Sequence, residues 1–158
     1  MSRILIVDDE ASIRRSLAGI LSDEGFSPCE AAEGEAALAE LRGEKPPDLV
    51  LLDIAMPGRD GVEILEEMQR TGPSLPVVLM SGHGTIETAV RATQLGAFDF
   101  LEKPLSVEKL LLTIRHALER AHRLVERYGV LTLLVPAILP PPAPFKIFVL
   151  LAGASRMR

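Results

Sequence analysis

The sequence has 158 residues, 47% of them hydrophobic and 25% charged, which suits one globular core with a further segment and is too short for two full domains. Its single cysteine, Cys29, has no partner for an intramolecular disulfide, and no charged stretch leads into an apolar run at the N-terminus, so nothing marks the chain for export and a cytoplasmic location is expected. Residues 1–128 carry 14 basic and 22 acidic side chains, a net of −8, whereas residues 129–158 carry three basic and no acidic ones. An acidic domain lacks the clustered Lys and Arg that phosphate backbones require, which argues against DNA contact from this segment.

Along the chain, Ile4–Val7 reads as a buried strand that runs into Asp8-Asp9. Ile13, Leu17, Ile20 and Leu21 follow on one helical face. Ser27–Ala31 is a weaker strand, and Ala37, Leu38 and Leu41 mark the next helix. Leu49–Leu52 is a second buried run, ending at Asp53 before the turn residues Met56-Pro57-Gly58. After the helical spacing of Val62, Leu65 and Met68 comes the strand Val77–Met80, which ends in Ser81-Gly82. Ile86, Val90, Thr93 and Ala97 are spaced as one helical face. Phe98–Leu101 is a weaker strand leading to Glu102-Lys103-Pro104, and Val107, Leu110, Leu111, Ile114 and Leu118 form the last helical face. Five strands alternating with five helices imply right-handed crossovers, hence an α/β fold with a parallel sheet covered on both sides. The last helix is the longest, its apolar spacing continuing through Ala121, Leu124, Val125 and Tyr128 until Gly129 is expected to stop it.

Residues 129–158 differ in kind. Val130–Leu139 and Phe145–Ala152 are apolar runs separated by Pro140, Pro141, Pro142 and Pro144. Each is too short to cross a bilayer, and Pro136 and Lys146 interrupt them, so no membrane span is expected. The expected division is a domain over 1–128 and an apolar, Pro-rich, poorly ordered tail or linker over 129–158. No Gly-x-x-x-x-Gly-Lys-Ser/Thr loop and no helix-turn-helix pattern follows Tyr128.

In a parallel sheet, ligands bind beyond the carboxyl ends of the strands where the strand order reverses. Those ends carry Asp8-Asp9, Asp53, Ser81-Gly82 and Glu102-Lys103-Pro104. Taken singly, each has an ordinary structural use: Asp8 and Asp9 suit a helix N-terminus, Asp53 a turn, Ser81 a loop and Lys103 a solvated surface. Taken together, three carboxylates at one edge repel one another unless a hard divalent cation joins them, and Mg²⁺ with a phosphoryl group fits that set.

Ile4-Leu5-Ile6-Val7-Asp8-Asp9-Glu10, Leu51-Leu52-Asp53-Ile54-Ala55-Met56-Pro57-Gly58-Arg59-Asp60-Gly61, Ser81-Gly82-His83-Gly84 and Phe100-Leu101-Glu102-Lys103-Pro104 together resemble the receiver domain of two-component response regulators, from residue 1 to about residue 125. Gly84-Thr85-Ile86-Glu87-Thr88-Ala89-Val90 is most similar to receivers of nitrogen-regulation-type, sigma-54-dependent activators, and Gly153-Ala154-Ser155-Arg156-Met157 is faintly similar to the entry of their ATPase domain. The resemblance implies a doubly wound, flavodoxin-like sheet of strand order 2-1-3-4-5. It implies a sensor histidine kinase that phosphorylates Asp53, with Mg²⁺ held by Asp9 directly, by Asp8 largely through water, and by Asp53 and the Ala55 carbonyl. Lys103 and Ser81 would bind phosphoryl oxygens, and Gly82 would leave the phosphoryl group accessible. His83 and Ala55 would flank the path of hydrolytic water. As a switch, Ser81 would move inward and Phe100 would turn to fill the vacated space. The same resemblance implies a self-modifying phosphoacceptor with autophosphatase activity only, not an enzyme with its own substrate. It further implies a homodimer through the fourth and fifth helices, control of transcription as the output, and a cis Lys103–Pro104 bond.

Two other classes share the topology. An aspartyl-phosphate hydrolase would place a second acid two residues beyond Asp53, where Ala55 stands. A flavodoxin-like FMN carrier would follow its first strand with a loop rich in Ser, Thr and Gly, where Asp8-Asp9-Glu10 would instead repel phosphate.

Overall fold

Strands form where the apolar runs stand and helices where the spacing turns to three and four. The computed structural model describes residues 1–72 and 74–134, in the order β1 (Arg3–Val7), α1 (Ala11–Asp23), β2 (Ser27–Ala31), α2 (Gly34–Leu41), β3 (Leu49–Asp53), α3 (Gly61–Thr71), β4 (Val77–Ser81), α4 (Ile86–Gln94), β5 (Asp99–Glu102) and α5 (Val107–Leu134). All neighbouring strands are parallel, in the order β2-β1-β3-β4-β5, so the α/β fold and strand order expected of a receiver are observed. After β1 the chain steps outward to β2 and then returns to the other side of β1 for β3. The order therefore reverses between β1 and β3, and their carboxyl ends open a crevice.

Side chains alternate across the strands and sort the core into two layers. Leu5, Val7, Val50, Leu52, Val77 and Leu79 meet Leu38, Leu41, Ile64, Leu65 and Met68 of α2 and α3. Ile4, Ile6, Leu49, Leu51, Val78 and Met80 meet Leu17 and Leu21 of α1 and Leu110 and Ile114 of α5. Each fully buried Leu or Ile stabilises the fold by about 1.5–3 kcal/mol relative to exposure, which is why the interior positions of β1, β3 and β4 are all apolar and polar residues stand only at strand ends, at Arg3, Asp53 and Ser81.

Gly61 sets the depth of the crevice. A Cβ there would collide with the backbone of Asp53 and Ile54, and the Gly61 amide donates to the Ile54 carbonyl at 3.0 Å. The start of α3, capped by the Asp60 carboxylate on the Val62 amide, thus lies directly on the end of β3.

Three expectations need correction. Of the four residues spaced as one face about α4 only Ala97 is buried: Ile86 is 86% and Val90 49% exposed, and Thr93 is exposed, while Ala92 is buried. Small side chains let a short helix lie close to the sheet, so Ala92, with Leu95 and Ala97 beyond it, joins the core, and the larger apolar residues are left outside. Val107, at the first turn of α5, is 46% exposed. Lastly, α5 passes through Gly129 to Leu134. One interior glycine costs a helix only about 1 kcal/mol relative to alanine, and no proline interrupts the chain before Pro136. The remainder of the expected tail, 135–158, lies outside the described residues, as does the faint similarity at Gly153–Met157. Among the described residues no helix is long and apolar enough to cross a membrane.

Candidate functional site

Asp8, Asp9, Asp53 and Lys103 meet in the crevice. Asp8 follows β1 directly, Asp53 is the last residue of β3, and Lys103 follows β5. One carboxylate oxygen from each of the three aspartates lies within 4.8 Å of the other two. Asp8 is 0% and Asp53 3% exposed, and Asp9 is exposed at the mouth.

Asp8 and Asp53 each spend one carboxylate oxygen on the local turn and keep the other for the crevice. Asp8 uses Oδ1 to accept the Glu10 amide at 2.9 Å, and Asp53 uses Oδ1 to accept the Ala55 amide at 3.1 Å. The second oxygen of each turns to the Lys103 ammonium, at 2.8 Å from Asp8 Oδ2 and 3.3 Å from Asp53 Oδ2. Neither Asp8 nor Asp9 caps α1, whose N-cap position is held by Glu10 without a side-chain bond. Burial acts to lower the Lys103 pKa, but the hydrogen bond it donates to Asp8 and the charge of Asp53 outweigh it, so the ammonium is held above the ordinary lysine value. The Lys103–Pro104 bond is cis, as expected.

Ser81 ends β4 and is 2% exposed. Among the described residues its side chain bonds to its own loop and not to Asp53: Oγ accepts the His83 amide at 3.1 Å. A Cβ on Gly82 would meet open space, so the approach past this loop is free. His83 and Ala55 are both exposed. Phe100 lies half-buried on β5, with its ring in the space a Cβ of Gly84 would fill.

Contacts of this kind were not legible in the motifs. Gly84 has no positive φ to explain it, and only the ring above it does. Arg14, on α1, donates from Nη1 to the Asp8 carbonyl at 2.6 Å and from Nε to Glu30 at 3.2 Å. Arg59, in the turn after β3, pairs with Glu35 of α2 at 2.7 Å and Glu67 of α3 at 3.0 Å, tying that turn to both helices. A long cationic side chain inside the turn after β3 was the available signal for Arg59; for Arg14 there was none beyond its place one turn into the helix.

Comparison with known proteins agrees with this geometry. The chain is 48% identical over 118 residues to the nitrogen assimilation regulatory protein NtrX of Azorhizobium caulinodans, covering 73% of this chain and 26% of that one. It is 42% identical over 119 residues to the regulatory protein AtoC of Escherichia coli, covering 75% and 26%. The crystal structure of the receiver domain of NtrX from Brucella abortus superposes with a TM-score of 0.69 at 49% identity, over 73% of this chain and 98% of that one. The chain thus spans about a quarter of the length of the curated relatives it matches. The family model of the response regulator receiver domain matches residues 4–115, and the chain belongs to that family.

Proposed function

We propose that this chain is a phosphoacceptor that takes a phosphoryl group from the phosphohistidine of a sensor histidine kinase onto Asp53. The observation that carries this reading is a cluster of three carboxylates closed by one ammonium, with Asp53 at its base. An Asp53 carboxylate oxygen attacks phosphorus in line; an O–P bond forms as the P–N bond to imidazole breaks, and the electron pair leaves with the ring nitrogen. The donor set holds oxygens and neither His nor Cys, which fits a hard cation. Asp8, Asp9 and Asp53, with the Ala55 carbonyl, are the residues that hold Mg²⁺, which when bound offsets negative charge on the phosphoryl oxygens.

The remaining groups act from where they stand. Lys103 exchanges its Asp53 contact for a phosphoryl oxygen with little movement. Because the Ser81 hydroxyl accepts from the His83 amide, its own proton is left free to donate to another phosphoryl oxygen. The phosphoryl group adds close to two negative charges and three acceptors, drawing Ser81 inward, and the His83 amide and Gly84 move with it. Phe100, packed on Gly84, then changes place. Exposed Ile86 and Val90 on α4 and Leu112 on α5 supply an apolar surface whose pairing in a homodimer responds to that change. The output is control of transcription by residues beyond this domain, in the cytoplasm, and the chain has no substrate besides its own phosphoryl group, which it hydrolyses.

Incubation with labelled acetyl phosphate tests the site. Asp53→Asn should abolish acid-labile labelling, because an amide is a poor nucleophile, and EDTA should nearly abolish it in the wild type. Undiminished labelling of Asp53→Asn would overturn the assignment; equal labelling in EDTA would overturn the metal.

A further inference from the structure

The geometry points to Arg14 as a positioning residue that fixes the turn carrying Asp8 and Asp9. Where β1 leaves the sheet, the Asp8 amide still donates to the Ala31 carbonyl of β2, but the Asp8 carbonyl has passed the end of the ladder, β1 and β3 pairing only as far as Val7 and Leu52. A buried carbonyl needs a donor. Arg14 Nη1 supplies it at 2.6 Å. The guanidinium is itself held from the other side, its Nε reaching Glu30 Oε1 at 3.2 Å, and its side chain is only 16% exposed. A planar guanidinium spans two partners at once in a fixed orientation, which a lysine ammonium does not reproduce. Helix α1 and strand β2 together thereby clamp the Asp8 backbone, and the Asp8 carboxylate is aimed by that backbone and by its bond to the Glu10 amide.

Arg14 reaches no carboxylate of the acidic cluster among the described residues; its ion pair is with Glu30. Its effect on the site thus passes through backbone geometry, and this gives the proposal a sign that charge alone does not. Removing a cation beside an acidic site raises the site's affinity for Mg²⁺ if the cation acts by its field, and lowers it if the cation acts by placing the ligands. The inference rests on the proposed Mg²⁺ site, and wild-type binding serves as the control that separates the two.

Titration of the full chain with Mg²⁺ by calorimetry is the experiment, with amide exchange of Asp8 and Glu10 followed by NMR. Arg14→Gln should weaken Mg²⁺ binding about tenfold, the order expected for losing one charged hydrogen bond, and should lose protection at the Glu10 amide. Arg14→Lys keeps the charge and should lose most of the same affinity. Arg15→Gln removes the charge of the exposed neighbouring residue and should leave binding unchanged. Glu30→Gln leaves Arg14 in place with a weaker outer partner and should cost about twofold, which keeps the test open if Arg14→Gln fails to fold. Unchanged or tighter binding by Arg14→Gln, or wild-type binding by Arg14→Lys, would overturn the positioning role; no binding by the wild type would instead overturn the metal site beneath it.

Discussion

The acidic crevice and the outer face of α4 lie on either side of the β4–α4 loop and are built on opposite terms. In the crevice each buried carboxylate is held twice: Asp8 by Glu10 and Lys103, Asp53 by Ala55 and Lys103. On the outer face of α4, Ile86 and Val90 stand in solvent. A carboxylate at the end of a fully buried strand is out of place by composition, so it announces itself and topology does the rest. An apolar residue on a short amphipathic helix is in place on either side, so spacing alone does not say which side is packed. Ile86, Val90 and Thr93 made one self-consistent face, and Thr88, Ala89 and Ala92 made another; close approach to the sheet selects the smaller side chains.

The largest expected effect comes from the doubly held side. Lys103→Met leaves Asp8 and Asp53 facing each other with no counter-charge, and without divalent cations it should lower the unfolding free energy by about 3 kcal/mol, read from urea titration. Mg²⁺ should restore much of the loss. Because the folded-state pKa of Lys103 is raised, its contribution is fully present below the ordinary lysine pKa and is lost only as pH rises through the raised value. The difference between wild type and variant should therefore stay flat through neutral pH and shrink only in strong alkali. A difference that vanishes near neutrality would mean that Lys103 is not the counter-charge.

The next pair of variants tests the α4 face itself. Ala92→Leu should cost about 2 kcal/mol by overpacking, whereas Ile86→Ser should change monomer stability by no more than about 0.5 kcal/mol. Equal losses would restore the face inferred from spacing.

How much was legible follows from the same contrast. Three strands were visible as apolar runs and two more weakly, and the crevice followed because a parallel sheet brings strand ends together. The order of strands was not in the runs; it came with the family resemblance and is observed in the sheet. Asp8, Asp9, Asp53 and Lys103 were found because, ordinary when taken singly, they fall together at one edge of the sheet. Arg14 and Gly84 were not, since what they meet, a backbone carbonyl that every residue carries and a ring on another strand, leaves no mark in local pattern. Gly129 was overread, for a glycine ends a helix only where the chain needs to turn.

A smaller effect joins the two regions. Gly84→Ala should cost about 1 kcal/mol, since the Phe100 ring moves aside to admit one methyl group. With fluorophenylalanine incorporated and the Phe100 signal assigned from Phe100→Leu, that resonance should shift in the unphosphorylated protein, while Phe26 and Phe98 stay in place. A stationary Phe100 signal would separate the ring from the loop.

The central claim, that Asp53 is the phosphoacceptor, is tested most directly by trapping the bond it forms. After treatment with acetyl phosphate and Mg²⁺, borohydride reduces an aspartyl phosphate to homoserine, and peptide mass spectrometry locates it. Homoserine at position 53, absent when Mg²⁺ is omitted, is the result expected; homoserine at position 8 or 9, or at none of the three, would contradict the account.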